Sequence, residues 1–588
     1  MRPTGEKWVI KAKRADFNTL AKQYGIDPLT ARIIINRDIE PEGFEKYLRG
    51  SLSDLNDPGL LADVGKASEI LQKAIVQGLP CRVIGDYDID GVNAAYILTE
   101  GLKMLGAKAD YAIPDRIEDG YGLNVNLIDK AIADGRKLII TCDNGIAAFD
   151  EVKYAKDKGL IVIVTDHHDV PYEADGDTRR QILPPADAVI DPKRSDCPYP
   201  YSGICGAVVA MKVLQVLFKA MDRDENEPLC FLENAAFATV GDVMDLKDEN
   251  RIIVKYGLKQ IKETQNPGLR ALMEECGIDK VSAYHFGFVL GPCINAAGRL
   301  DTARKAVELL CEKDPARAGA LAKELSALNA QRKDMTLKGE EEACAMIENA
   351  PWAEDKVYII YLPEIHESIA GIIAGRIRER YERPVFVITG TGDIVKGSGR
   401  SVEAYSMYDE MSRVKHLFTK FGGHPMAAGF SMYQKDIDEL RRCLNENETL
   451  TEEDLMPKQV IDVAMPLDYI TENLVNELSV LEPLGNGNPK PVFAVKDHVF
   501  KKAGRMGKDG KFLRFDVATN SGKTMKAVLF KDADEFLDGY ESTYGKEALN
   551  DLLSGRGSVP VAVCYYPVIN EFRGVKSIEI RIERYRFG

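Results

Sequence analysis

Four short apolar runs, each closed by glycine or aspartate, constrain this chain more than any other feature: CRVIG (81–85), KLIITCDNG (137–145), LIVIVTDHH (160–168) and DAVIDP (187–192). Helical stretches separate them, beginning with GVNAAYILTEGLKMLG (91–106). Strands that are apolar along their whole length and joined through helices build a parallel sheet covered on both faces. Such sheets bind their ligands beyond the carboxyl ends of the strands, and that is where this chain concentrates acid. Asp86, Asp88 and Asp90 share the loop GDYDIDG, Asp143 ends the second run, and Asp166, His167 and His168 end the third. Asp242 follows an apolar helical run in ATVGDVMDL.

Aspartate is the ordinary residue of helix N-caps and turns, which accounts for any one of these positions. It does not account for six of them, five ending three candidate strands, together with two of only seven histidines. Carboxylates converging on one sheet edge repel each other unless cations neutralise them. Carboxylate oxygens suit hard divalent ions, and imidazole shifts the preference toward Mn²⁺, Zn²⁺ or Fe²⁺. Two such ions about 3.5–4 Å apart activate water and steady a phosphoryl transition state.

The rest of the chain divides by pattern. At roughly 100–200 residues per domain, 588 residues make three to five domains. Residues 301–349 are rich in Ala, Glu, Lys and Leu and read as a long bridging helix. VYIIYL (357–362) and RPVFVITG (383–390) open a second α/β unit running to about 440, and NENETLTEEDLMP (445–457) reads as a linker. Beyond it, FLRFDVAT, TMKAVLF and VPVAVCYYPV with glycine-rich turns have the look of a small β-barrel. The first 55 residues mix short helical patterns and polar turns and carry no recognisable chemistry.

With 77 Lys+Arg against 92 Asp+Glu the net charge is −15, which argues against a generic polyanion-coating protein but leaves room for a local basic groove. Eleven cysteines without one CxxC fit a reducing compartment and give no zinc or redox motif. No apolar run reaches membrane-span length, and the opening MRPTGEKWVIKAKRADF lacks a signal-peptide core. A cytoplasmic enzyme is expected.

GDYDIDG, TCDNGI, VTDHHDV and the later GDV resemble the successive motifs of the DHH phosphoesterase superfamily. Within it the chain is similar to the RecJ single-strand-specific DNA exonucleases. IPDRIEDGYGLN (113–124), LPPADAVIDPKRSDCPYP (183–200), PCINAAGRLDTA (292–303), HESIAGIIAGRI (366–377), KGSGRS (396–401), FGGHPMAAGFS (421–431) and LEPLGNGNPKPVF (481–493) follow in that family's order. The resemblance implies an N-terminal segment (1–55), a parallel-sheet DHH catalytic domain (56–310), a connecting helix (311–350), a smaller α/β DHH-associated domain (351–445) and a C-terminal OB-like β-barrel (456–588). Carried over by position, Asp88, Asp90, Asp143, His167 and Asp242 match the family's metal ligands, Asp143 bridging two ions of Mn²⁺ or Mg²⁺. His168 matches the histidine that faces the substrate phosphate, and Asp86 completes the motif, so both count as catalytic. Two positions depart from the pattern. Ile84 stands where some members have histidine, leaving one ion fewer protein ligands, and Cys293 stands where relatives have a phosphate-binding arginine.

For the substrate, KGSGRS taken alone reads as a glycine turn; in RecJ-like proteins its serine and arginine, here Ser398 and Arg400, help hold the 5′ end of the strand, and an arginine grips phosphate with two parallel hydrogen bonds. Arg116 and Arg299 occupy other arginine positions of the family motifs, and His424 belongs to the Gly-Gly-His signature near the phosphate. Lys501 to Lys526 holds eight basic residues interleaved with Phe512 and Phe515, a composition that suits single strands. The expected protein is a metal-dependent 5′→3′ exonuclease on single-stranded DNA in repair and recombination, with a helicase and a single-strand-binding protein as partners and no membrane. The alternative is a superfamily phosphodiesterase for short oligoribonucleotides or cyclic dinucleotides; a third reading is a non-enzymatic scaffold of the replication fork.

Overall fold

The computed structural model describes residues 6–116, 120, 122–175, 178–531, 533–572 and 574–588. Its chain falls into two compact units, one built on Leu52–Pro457 and the other on Lys7–Ser51 together with Lys458–Gly588.

The first unit opens with a five-stranded parallel sheet in the spatial order Ala109–Ala112, Cys81–Ile84, Leu138–Cys142, Ile161–Thr165, Ala188–Ile190. The four apolar runs are four of its strands; Ala109–Ala112 is a fifth that periodicity did not reveal, because ADYA is short and only half-buried. Successive strand residues feed two cores. Val83, Ile140 and Ile163 pack beneath the helices Ile89–Met104, Gly206–Ala220 and Leu232–Gly241. Ile84, Ile139 and Val164 pack beneath Val125–Ala133 and Phe149–Asp157. Numbered along the chain, the sheet order is 2-1-3-4-5, so connections leave in opposite directions from Cys81–Ile84 and Leu138–Cys142. The crevice at that reversal is where sheets of this kind take their ligands, and the loops carrying Asp86–Asp90 and Asp143 open into it.

A 35-residue helix, Pro315–Asn349, is capped by Asp314, whose carboxylate accepts from the Ala316 and Arg317 amides. At 1.5 Å per residue it runs about 50 Å. Ala318, Leu321 and Leu325 at one end join the first core, while Ala343, Cys344 and Ile347 at the other join the core of a second sheet. That second sheet runs Phe418–His424, Ala427–Tyr433, Ile394–Arg400, Val385–Thr389, Tyr358–Tyr361; only the last pair is parallel.

In the second unit, Phe493–Met506 pairs with both Phe512–Ala518 and Pro560–Phe572, which closes five strands into a barrel, with the short strand Val463–Ala464 added beside Phe493–Met506. Phe500, Phe515, Phe536 and Tyr540 fill it. The N-terminal residues belong to this unit. Lys7–Ile10 pairs in parallel with Lys458–Ile461, Ile33 and Ile34 join the barrel core, and Arg37 makes a buried pair with Asp462 at 2.5 Å.

Candidate metal centre and phosphate-binding groups

The structure gathers the acidic constellation at the carboxyl edge of the parallel sheet. Ligand atoms of Asp143, His167 and His168 lie within 4.8 Å of one another, as do those of Asp90, His167 and Asp242, and those of Asp86, Asp88 and Asp143. His167 Nε2 stands 3.1 Å from Asp143, 3.4 Å from Asp90 and 3.7 Å from Asp242. Asp143 and His167 each belong to two of the three groups, so the clusters form one continuous centre.

Local structure fixes each side chain. Asp88 is the N-cap of the helix Ile89–Met104 and accepts from the amides of Asp90 and Gly91. Asn295 accepts the Ile89 amide at 2.8 Å, tying this loop to the helix Gly291–Leu300. Asp90 is fully buried and accepts from the Gly206 and Ala207 amides at 2.6 and 2.8 Å, the positive end of the helix Gly206–Ala220. Gly206 is required there, since a Cβ would fall 2.8 Å from Asp143 Cβ. Asp143 and Val243 both take left-handed backbone, φ 61° and 58°. For the β-branched Val243, beside Asp242, that conformation costs on the order of 1–3 kcal/mol.

Electrostatics explains why bare carboxylates are uncomfortable here. Burial, with Asp88 beside it, raises the Asp86 carboxyl well above the usual range, and Asp86 Oδ1 is buried without a hydrogen-bond partner. Asp143 is raised by burial and by Asp90, Asp88, Asp86 and Asp242. Asp242 is pushed up to about 8 by burial, Asp90 and Asp88. His167 is lowered by burial, which keeps its imidazole neutral and able to ligate. His168 differs. Burial opposes its charge, but Asp166, accepting from Nδ1 at 2.8 Å, outweighs burial and holds it up to about 9. Asp166 also accepts the amides of Ile146, His167 and His168.

Asp166 was visible in the motif VTDHHD but its part is set by contacts: it orients His168. Gly206 was missed, and its only sequence signal is a glycine opening an apolar helix.

The predicted phosphate groups lie on neighbouring elements of the same unit. KGSGR forms the strand Ile394–Arg400 rather than a turn. Its glycines face inward, where a Cβ at Gly397 would strike the Phe430 ring at 2.1 Å and one at Gly399 the Met407 sulfur at 2.3 Å. Lys396, Ser398 and Arg400 therefore alternate onto the other face, against the helix Glu367–Tyr381, where a Cβ at Gly371 would lie 3.0 Å from Arg400 Nη2. Arg299 Nη1 donates to the Ser368 carbonyl at 2.6 Å and Ser368 Oγ donates to the Arg299 carbonyl at 3.0 Å. Arg116 stacks its guanidinium 4.8 Å over the Tyr87 ring. Within the surrounding motif, residues 117–119 and 121 lie outside the described residues. Burial lowers Arg299 to about 10, with Arg116 and Arg332 adding repulsion. Arg400 is lowered by burial and by Arg116 and Arg378.

Among the described residues, two cavities flank the centre. One of about 230 Å³ is lined by Tyr87, Arg116, Lys396 and Ser398. The other, about 640 Å³, is lined by Leu123, Ile146, His168, Lys193 and His424. His424 thus shares a cavity with His168. Cys293 faces neither; it is buried, accepts from Asn329 at 3.3 Å and sits 4.0 Å from Cys276 Sγ. In the barrel all eight basic side chains of 501–526 are exposed, Phe515 is core and Phe512 half-buried. Arg505 pairs with Asp534 and Lys526 with Asp516.

Comparison with known proteins agrees with this layout. Residues 80–239 match the DHH family N-terminal domain, 354–448 the DHHA1 domain and 461–584 the RecJ OB domain. The single-stranded-DNA-specific exonuclease RecJ of Escherichia coli is 33% identical over 584 residues, 95% of this chain and 96% of that protein. RecJ of Bacillus subtilis is also 33% identical, over 88% of this chain, which spans only 65% of that longer protein. The crystal structure of Thermus thermophilus RecJ in complex with Mn²⁺ superposes with a TM-score of 0.79 and 27% identity, covering 99% of this chain and 80% of that one. Three domain matches in this sequence, with a third of the residues shared over nearly the full length of the Escherichia relative, establish that the chain belongs to the RecJ family.

Proposed function

We propose that the protein is a Mn²⁺- or Mg²⁺-dependent exonuclease that hydrolyses single-stranded DNA from its 5′ end, in the 5′→3′ direction, in DNA repair and recombination. The observation that carries this reading is the pairing, within one unit, of a buried carboxylate–imidazole centre with a cluster of partly buried arginines. The first is complete only with cations and the second only with an anion.

The donor set fits divalent ions: hard carboxylate oxygens with one neutral imidazole, a buried carboxylate oxygen lacking a donor, and pKa values raised by mutual repulsion. Asp88, Asp90, Asp143, His167 and Asp242 would hold two ions, Asp143 being shared. Bound there, such ions supply an acidified water and charge neutralisation at the phosphate.

The chain's own residues do the remaining work. Asp166 keeps His168 protonated and aimed across the centre, so that it donates to a phosphate oxygen. Asp86, beside Tyr87, faces the same phosphate and exchanges protons there. Arg116, Arg299, Ser398 and Arg400 take the terminal 5′-phosphate on the Tyr87 side, and His424 contacts the strand across the larger cavity. The DNA preference follows the relatives' names, and the 5′→3′ polarity follows the resemblance to the RecJ motifs. The exposed basic face of the barrel adds sequence-independent affinity. A helicase supplying unwound strand and a single-strand-binding protein are the partners such a reaction calls for, and the cytoplasm its location; no helix among the described residues is long and apolar enough to cross a membrane. The barrel is superfluous for a cyclic dinucleotide or a very short RNA, which argues against that alternative.

The test is digestion of 5′- and 3′-labelled single-stranded and duplex oligonucleotides with and without Mn²⁺. Loss of a 5′ label as mononucleotide, only from single strands and only with metal, is expected. Equal digestion of duplex ends, or first release of the 3′ label, would defeat the reading.

A further inference from the structure

The segment Ala283–Leu290 is apolar on two sides. Inward, Phe286 and Leu290 are fully buried, with the Phe286 ring centroid 5.1 Å from that of Phe237. Outward, Tyr284 and Phe288 are 63% and 68% exposed and stack on each other, centroids 5.1 Å apart at 24°. A surface helix normally turns charged residues to water, yet this one offers two aromatic faces. It also contains a π-helical turn, Phe286–Leu290, a distortion common at functional sites.

Its position is informative. Gly287 lies against Val240, a Cβ there falling 3.5 Å from Val240 Cγ1, two residues before Asp242. The π turn continues directly into Gly291–Leu300, whose Asn295 holds the Ile89 amide between Asp88 and Asp90. From Asn295 back to Phe288 is seven residues, about 10 Å of helix axis. That is a few nucleotides of single strand at roughly 3.4 Å each when stacked. Val243, 65% exposed at the rim beside Asp242, adds apolar surface at the same end of the helix Leu232–Gly241.

We propose that Tyr284 and Phe288 form a stacking platform for bases of the single strand a few nucleotides from the scissile phosphate. The proposal rests on the exonuclease reading above. The occupant is a nucleobase because two stacked aromatic faces match a flat, partly apolar ring, and because every base presents such a face, as an enzyme without sequence preference requires. An aliphatic protein partner would not need the parallel stack or the proximity to the metal loop.

The experiment compares wild type with the double variant Tyr284→Ala/Phe288→Ala on 5′-phosphorylated oligothymidylates of two and of twenty nucleotides, in Mn²⁺. The dinucleotide is too short to reach the platform, so its kcat/KM should be unchanged; this also shows that the variant folds. On the long strand KM should rise roughly 5- to 150-fold, the loss of one stacked base. Phe288→Trp with Tyr284 intact should keep the long-strand KM near the wild-type value, and 2-aminopurine a few positions from the 5′ end should be quenched by wild type but not by the double variant. An unchanged long-strand KM, or an equal fall on both substrates, overturns the platform. Failure of wild type to digest either strand overturns instead the exonuclease reading on which it rests.

Discussion

The metal centre and the arginine cluster are mirror images in charge. On one side four carboxylates, Asp86, Asp90, Asp143 and Asp242, are raised above their usual range by burial and mutual repulsion. On the other, Arg299 and Arg400 are lowered by burial and by neighbouring arginines. A site evolved only for stability would interleave the two sets, as the buried Lys212–Glu249 pair does elsewhere in the same unit at 3.0 Å. Keeping them apart sacrifices stability and leaves each side short of a counter-charge, which on the proposed reading a divalent cation and a phosphate monoester supply. The comparison also separates roles: removing an acid should cost chemistry, and removing an arginine should cost capture of the strand end.

The largest effect should come from Asp143→Asn, which keeps the shape and tolerates the left-handed backbone. Metal-dependent turnover should fall roughly 10³-fold or more, since the charge stabilisation at stake is several kcal/mol. The metal-free variant should melt no earlier than wild type, because one repelling charge is gone. Turnover within tenfold of wild type would show that Asp143 is not the shared ligand.

Next is Asp166→Asn, which leaves the backbone amides an acceptor but removes the charge that keeps His168 protonated. A fall in kcat of about 10- to 100-fold with KM nearly unchanged is expected for such a supporting residue. An effect confined to KM would place His168 among the strand-binding groups instead.

Arg400→Ala then tests the cationic side. KM for 5′-phosphorylated strands should rise about 10- to 100-fold, one charged hydrogen bond being worth roughly 1.5–3 kcal/mol, with a much smaller change for 5′-hydroxyl strands. Lysine should rescue only in part, lacking the planar fork. Equal losses on both strands would make Arg400 a general backbone contact and break the symmetry drawn above.

The smallest effect belongs to the barrel, where charge is exposed and screened. Replacing Lys502 and Arg514 with alanine should lower the slope of log affinity against log salt by about 0.7 per lost phosphate contact, with kcat unchanged. An unaltered slope would remove this face from the strand's path.

Much of this was legible because the signals are local. A fully apolar run followed at once by aspartate reads as a buried strand ending at a ligand-binding edge, and the parallel sheet and the barrel both appear where such runs and alternating strands indicated them. KGSGR was harder: glycine spacing suggested a turn, and only the Phe430 ring and the Met407 sulfur pressing on Gly397 and Gly399 explain a strand in which glycine is obligatory.

What the sequence determined by itself is therefore the elements and the chemistry available at their ends, because strand burial, capping and turn preference depend on neighbours a few residues away. What tertiary structure alone decided is which distant groups meet. Asp90 finds its amides at Gly206 and Ala207, more than a hundred residues on. Arg37 closes on Asp462 and sets the N-terminal helices on the barrel. Arg116 comes close enough to Arg299 and Arg400 to lower the pKa values of both. Such pairings are selected by packing of whole layers, which brings charges together across chain separations where no local periodicity records them.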